Sequence, residues 1–270
     1  MTTLSAHDAV NPQLLAAVGA VAADIAVTLR AAPGPGVPVP GAEWSVGEAA
    51  AHLAMANELM ADLARGTPRP YADGTRAGLA AANAQSLADY PERDPQLLAG
   101  EIVRHVQEFV DACGRLPAGE PTRTPLGPMD LGTLASYLLT HMLGHGYDMA
   151  RALRVPHMID RERVRLSLPF LLTAMPRVVD ERAAAGFSAR YRIGVRGGSS
   201  FGVHFADGAV TVTPESPERP DCTIVTEPVT FFLMALGRCG PWSAIGRGKI
   251  VAWGPKPWLA PRFPACFTAP

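Results

Sequence analysis

Three histidines offer the strongest chemistry in this sequence, and two of them share one short stretch, THMLGHGYD. His141 and His145 are four residues apart, so on a helix they occupy adjacent turns of one face with about 5–6 Å between Cβ atoms. That spacing suits two ligands on one metal ion. Asp148 stands one turn further on, where a carboxylate can orient an imidazole or act as a further ligand. The rest of that face is apolar (Leu134, Leu138), and imidazoles on a core-facing stripe need partners. His52 lies in AAAHLAMAN, again on a mostly apolar helix face, and is the candidate third imidazole. Glu48, one turn before it, has a role of its own as the acid of a capping box with Ser45. Two buried histidines bonded to backbone carbonyls would fit the HxxxH spacing equally well; a third ligand is what separates the readings. A divalent ion with three protein ligands keeps one position open, as catalytic sites do.

The elements that carry these residues can be read from periodicity and caps. Asn11-Pro12 opens a helix to Arg30, and AAPGPGVPVPG over 31–41 cannot be helical. Ser45 caps a helix to about Arg65, followed by a polar loop over Gly66–Gly74 and a helix near Thr75–Asp89. Asp94-Pro95 opens the next, to about Leu116, where His105 and Asp111 read as surface or boundary residues. A hairpin or irregular loop fills 117–132. Asp130 then caps the helix carrying His141 and His145, which ends before Pro156. Gly144 and Gly146 flank His145 within it; each disfavours a helix interior by about 1 kcal/mol, so another helix or a ligand is expected to approach closely. Asp160 caps a last helix that Pro169 and Pro176 should kink or break. Residues 1–185 are thus expected to form a bundle of about four long helices.

Beyond Gly186 the pattern changes period. ARYRIGVRG, SFGVHFADG and AVTVTPES alternate as an antiparallel meander, with His204 on a strand face. DCTIVTEP is a further strand, VTFFLMALGRCG an apolar helix and KIVAWG a last strand. Residues 187–270 form a second, small α+β domain. The fold class is multidomain, α followed by α+β.

Charge is nearly balanced, with 24 basic and 25 acidic residues and no basic cluster, which gives no nucleic-acid footprint. MTTLSAHDAV lacks a signal-peptide pattern, and the apolar run Leu14–Val27, interrupted by Asp24, is read as too short to span a membrane. The four cysteines are scattered, as free thiols in a reducing cytoplasm would be.

WSVGEAAAHLA, with HMLGHGYDMARAL about ninety residues later, resembles the mycothiol-dependent maleylpyruvate isomerase family. The resemblance implies a DinB-like four-helix metal-binding domain followed by a domain similar to sterol carrier protein type 2, whose likeness rests on FFLMALGR and GKIVAWG. It implies a zinc ion held by His52, His141 and His145. The family's isomerase has a glutamate at the first position of the later pair, where this chain has His141. It further implies mycothiol as the thiol cosubstrate at the open position and a small-molecule substrate, with either cis–trans isomerisation or S-transfer as the outcome.

An anionic substrate would need a cation. Arg238, ending the apolar helix, and Arg151, one turn past Asp148, are the catalytic candidates beside Asp148, with Arg247 behind them. For each arginine the alternative is a helix-end residue favourable to the dipole. Two other functions stay open: a carrier of apolar ligands in the second domain, and a metal-dependent hydrolase that activates water.

Overall fold

The computed structural model describes residues 9–67, 69, 71 and 76–268; Thr75, most of the 66–74 loop and the first eight residues lie outside them. The chain divides into two compact units, 1–159 and 160–270.

The first unit is a helical bundle. Its helices are α1 (Pro12–Arg30), α2 (Val46–Ala64), α3 (Arg76–Asp89), α4 (Pro95–Cys113) and α5 (Leu131–Leu153). The capping predictions hold: Asn11, Ser45, Asp94 and Asp130 each accept a backbone N–H in the first turn of α1, α2, α4 and α5. A short antiparallel hairpin, β1 (Pro121–Thr124) and β2 (Gly127–Asp130), leads directly into α5. Helix α1 is long and apolar enough by composition to cross a membrane. Its Val18, Val21, Ile25 and Leu29 are nevertheless buried in the bundle.

Close approach is visible at Gly146. A Cβ there would stand 2.7 Å from Met158 Sδ and 3.1 Å from Ile25 Cγ1 of α1, so α5 passes close to both and a larger residue would make them give way. His105 corrects the sequence reading: it is buried at 6% exposure, with Glu108 3.4 Å from its Nδ1. It lies on the inner side of α4 with Ile102 and Phe109.

The second unit opens with α6 (Arg161–Ala174), capped by Asp160 and carrying Pro169 inside it. Pro176 falls in the 3₁₀ turn Met175–Val178, where the helix breaks as expected. The sequence reading assigned this helix to the first domain, whereas its contacts place it in the second unit, against α8 (Pro228–Ala235). Period tells which side of a helix is apolar but not which body it faces. After the short α7 (Glu181–Ala184) come β3 (Ala189–Val195), β4 (Ser200–Ala206), β5 (Ala209–Thr213), β6 (Cys222–Thr226), α9 (Pro241–Gly246), β7 (Ile250–Trp253) and α10 (Arg262–Ala265).

The five strands form one sheet in the order β5-β4-β3-β6-β7. β3, β4 and β5 are the expected antiparallel meander, while β6 returns parallel to β3 and β7 closes the other edge. Alternation gives the sheet one buried face, with Tyr191, Ile193, Phe201, Val203, Phe205 and Ile224, and one open face with Arg190, Arg192 and His204.

Candidate metal centre

Helix α2 starts in a tightly fixed position. The Ser45 hydroxyl accepts the Glu48 N–H at 3.3 Å, and the Glu48 carboxylate accepts the Ser45 N–H at 2.8 Å. The Ser45 N–H, and after it the Ser45 hydroxyl donating to the same carboxylate at 2.8 Å, hold the Glu48 carboxyl below the usual range. Just before the cap, the Trp44 carbonyl accepts the Val39 N–H at 2.9 Å, which fixes the strand-like entry into the helix. Two turns on, His52 is 6% exposed, and burial pushes its pKa down to about 4. It is therefore neutral at physiological pH, the form in which an imidazole binds a metal.

Helix α5 brings His141 and His145 to the same point. His52 Nε2 lies 3.3 Å from His141 Nε2, and one ring nitrogen from each of the three histidines falls within 4.8 Å of the others. The ring centroids are 5.2 Å apart for His52–His141, 4.9 Å for His52–His145 and 4.6 Å for His141–His145. A tetrahedral ion with metal–nitrogen bonds of about 2.0–2.1 Å needs ligand nitrogens about 3.3 Å apart. The His52–His141 pair already stands at that separation. Two neutral imidazoles this close can share one proton, but a third converging on them is a donor set for a cation. The residues present therefore fit a divalent ion, and nitrogen-only donors suit zinc or another borderline metal.

Two aromatic residues that sequence reasoning missed wall this cluster. The Trp44 indole lies 4.9 Å from the His52 ring and 6.0 Å from the His145 ring, stacked on the latter at 21°. Tyr137 stands edge-on to His141 at 6.1 Å, and burial pushes its phenol pKa up. The available signals were an aromatic immediately before a capping serine and a tyrosine one turn before the HxxxH pair.

The other candidates fall elsewhere. Asp148 is half-buried on α5 and is not in the three-nitrogen cluster. The Arg151 guanidinium lies 5.7 Å from the Tyr147 ring centroid. In the second unit Arg238 donates to the Leu236 carbonyl at 2.6 Å, at the end of α8. Arg247 donates to the Ser243 carbonyl at 3.1 Å, also at a helix end.

Bundle and cluster together define a helical domain with a three-histidine candidate metal centre, followed by an α+β domain. Residues 15–150 match the family described as the mycothiol maleylpyruvate isomerase N-terminal domain, and the chain belongs to that family. Residues 172–255 match the SCP-2 sterol transfer family. The fold is accordingly a DinB-like helical domain followed by a sterol-carrier-like α+β domain.

Among solved structures, the chain is similar to a point mutant of the mycothiol-dependent maleylpyruvate isomerase, at TM-score 0.51 and 11% identity. That match covers 89% of this chain and 91% of the other. A stereoselective inverting sec-alkylsulfatase, Pisa1 from Pseudomonas sp., matches at TM-score 0.33 and 15% identity over 52% of this chain; only 24% of the sulfatase is covered. A ubiquinone synthesis protein, UbiJ-SCP2, matches at TM-score 0.29 and 21% identity, over 41% of this chain and 93% of that one. No curated protein matches the sequence.

Proposed function

We propose that this chain is a mycothiol-dependent metalloenzyme in which His52, His141 and His145 hold one divalent ion, zinc first. The observation that carries the reading is the convergence of three imidazoles from two helices, with His52 and His141 89 residues apart in sequence. When bound, such an ion supplies a Lewis acid that lowers the pKa of a thiol at its open position. The chain's own residues do the positioning. Burial keeps His52 neutral, Trp44 packs on two of the three rings, and Tyr137 closes the side next to His141.

The thiol is proposed to come from outside. Burial pushes the Cys113 thiol up to about 12 and the Cys222 thiol to about 11, and raises that of Cys266, so none of the three is a thiolate at neutral pH. Addition of the external sulfur to an activated double bond, rotation and expulsion of the same sulfur give cis–trans isomerisation. Retention of the carbon–sulfur bond gives S-transfer instead. For a substrate carboxylate, Arg151 is the proposed cation within the first unit, and Asp148 is proposed to orient the imidazoles rather than bind the ion.

The test is elemental analysis of the purified protein beside its His145→Ala variant, followed by activity with and without mycothiol. One equivalent of metal lost in the variant, and turnover that requires the thiol, are the expected results. Full metal occupancy in the variant would refute the ligand assignment, and turnover without thiol would point to hydrolysis. The match of residues 172–255 to a sterol transfer family favours a second reading, an apolar-ligand carrier. A lipid that stays bound after chelation would support it.

A further inference from the structure

The second unit carries an edge whose composition differs from the rest of the molecule. Three of the chain's four tryptophans lie between residues 242 and 258, and all three face solvent: Trp242 at 70%, Trp253 at 51% and Trp258 at 68%. Ile245 and Val251 are exposed beside them, at 38% and 50%. The chain's only two lysines, Lys249 and Lys256, fall in the same stretch with Arg247 and Arg262, and no Asp or Glu follows Glu227.

These residues follow one another along the β7 edge of the sheet, with Val251 and Trp253 on its open face and the Pro257–Leu259 turn on the opposite face, where the Tyr191 hydroxyl donates to the Leu259 carbonyl at 3.0 Å. α9 carries Trp242 and Ile245 and turns directly into β7, with the Lys249 N–H bonded to the Ala244 carbonyl at 3.0 Å. β7 is an edge strand, and Val251 and Trp253 alternate onto the open face of the sheet, opposite Val225 and Thr223 of β6. The Lys256 N–H is bonded to the Asp221 carbonyl at 2.8 Å, and the 3₁₀ turn Pro257–Leu259 carrying Trp258 follows.

On the open face the row through Trp253 and Thr223 continues to Arg192, and its neighbour row holds Arg190 and His204; no strand residue on that face is acidic. The loop after β5 carries Glu215 and Glu218 and crosses the open face over Gly202, the cross-strand partner of Arg192, leaving the β7 end of that face clear of it. Asp221 pairs with Lys256 at 3.0 Å, Arg262 stacks on Phe187 at 4.1 Å and Glu227 interacts with Lys249, whereas Arg247 bonds neutral groups, the Ser243 carbonyl and Cys239 Sγ. Residues 160–270 as a whole hold 14 basic and 9 acidic residues, against 10 and 16 in residues 1–159.

We propose that this edge, α9 with β7 and the Pro257–Leu259 turn, docks on the headgroup layer of an anionic lipid bilayer. The inference is independent of the histidine cluster. Tryptophan prefers the boundary between headgroups and acyl chains, and lysine stems reach along apolar surface to keep their charge at the phosphates. Charge complementarity selects an anionic surface. Protein interfaces are also enriched in tryptophan, so a second copy of this chain is kept as an outcome of the test. A nucleic acid would have no use for exposed Ile245 and Val251.

The experiment uses the full-length protein and two vesicle types, pure phosphatidylcholine and phosphatidylcholine with about 30 mol% phosphatidylglycerol. Binding is read by co-sedimentation and by the blue shift of tryptophan emission. The expected result is binding to the anionic vesicles that weakens with salt. Arg247→Glu with Lys249→Glu should lower partitioning by at least about tenfold, since each basic residue at such a surface is worth about fivefold. Trp253→Ser and Trp258→Ser should each reduce the shift, Trp242 still reporting, and weaken binding, with unchanged circular dichroism because both side chains are exposed. If Trp253→Ser does not fold, Trp258→Ser alone decides. Absence of wild-type binding, equal binding to both vesicle types, or binding unchanged by charge reversal would overturn the proposal. So would a dimer in light scattering that the tryptophan variants dissociate, which would make the edge a contact between two copies of this chain.

Discussion

Removing metal and lowering the pH should expose how much stability hangs on one neutral histidine. Burial pushes the His52 pKa down to about 4, whereas an imidazole in the unfolded chain titrates near the ordinary histidine value of about 6.5. Because the folded value is the lower one, the unfolded state takes up a proton first as the pH falls. The stability that His52 supports is therefore complete above about pH 6.5, declines between about 6.5 and 4, and is fully lost below that. With 1.36 kcal/mol per pH unit, the loss is about 2 kcal/mol at pH 5 and about 3 kcal/mol at its limit. Against a typical total of about 5–15 kcal/mol this is a large share. The assay is urea unfolding of chelator-treated protein from pH 7.5 to 4, followed by circular dichroism, with His52→Gln as the comparison. The difference in stability between wild type and variant should change by about 2 kcal/mol between pH 7 and pH 5. A pH dependence identical in the two proteins would refute the reasoning that burial of His52 sets it.

Other perturbations test the same architecture. Gly146→Ala should destabilise the protein by about 1–3 kcal/mol despite alanine's better helix propensity, because the new Cβ meets Met158 and Ile25; a thermal melt reads it, and an unchanged midpoint would refute the packing argument. Trp44→Ala should keep helix content while weakening zinc affinity by about tenfold in calorimetry, as the packing that orients His52 and His145 is lost; unchanged affinity would make the indole a bystander. Asp148→Asn should weaken metal binding by about 10–100-fold without abolishing it. Complete loss of metal in that variant would make Asp148 a ligand.

The parts of the fold that were legible in sequence are those decided locally. Ser45 with Glu48, and Asp130 before LGTLASYLL, mark helix starts because a side-chain acceptor and orphan N–H groups meet within one turn. His141 and His145 share a face by arithmetic alone. What stayed hidden depends on partners distant in sequence. The apolar side of α6 shows in its period, yet nothing local says that α8 covers it. Strand alternation in CTIVT assigns faces but does not reveal that β6 pairs parallel with β3. The burial of His105 and the stacking of Trp44 on His145 are likewise tertiary facts, set by which helices dock.

The separation of 89 residues between His52 and His141 bears on how the protein comes into being. In an unfolded chain only the HxxxH half of the donor set is local, so high-affinity capture of an ion must await the docking of α2 on α5. An ion that then binds acts as a non-covalent cross-link over a long loop, and by mass action adds about 4 kcal/mol at a thousandfold excess over its dissociation constant. Newly made chains would compete for metal only once their tertiary structure is correct. Occupancy in the cell would thus report the fraction of molecules that had folded, as well as the metal supply.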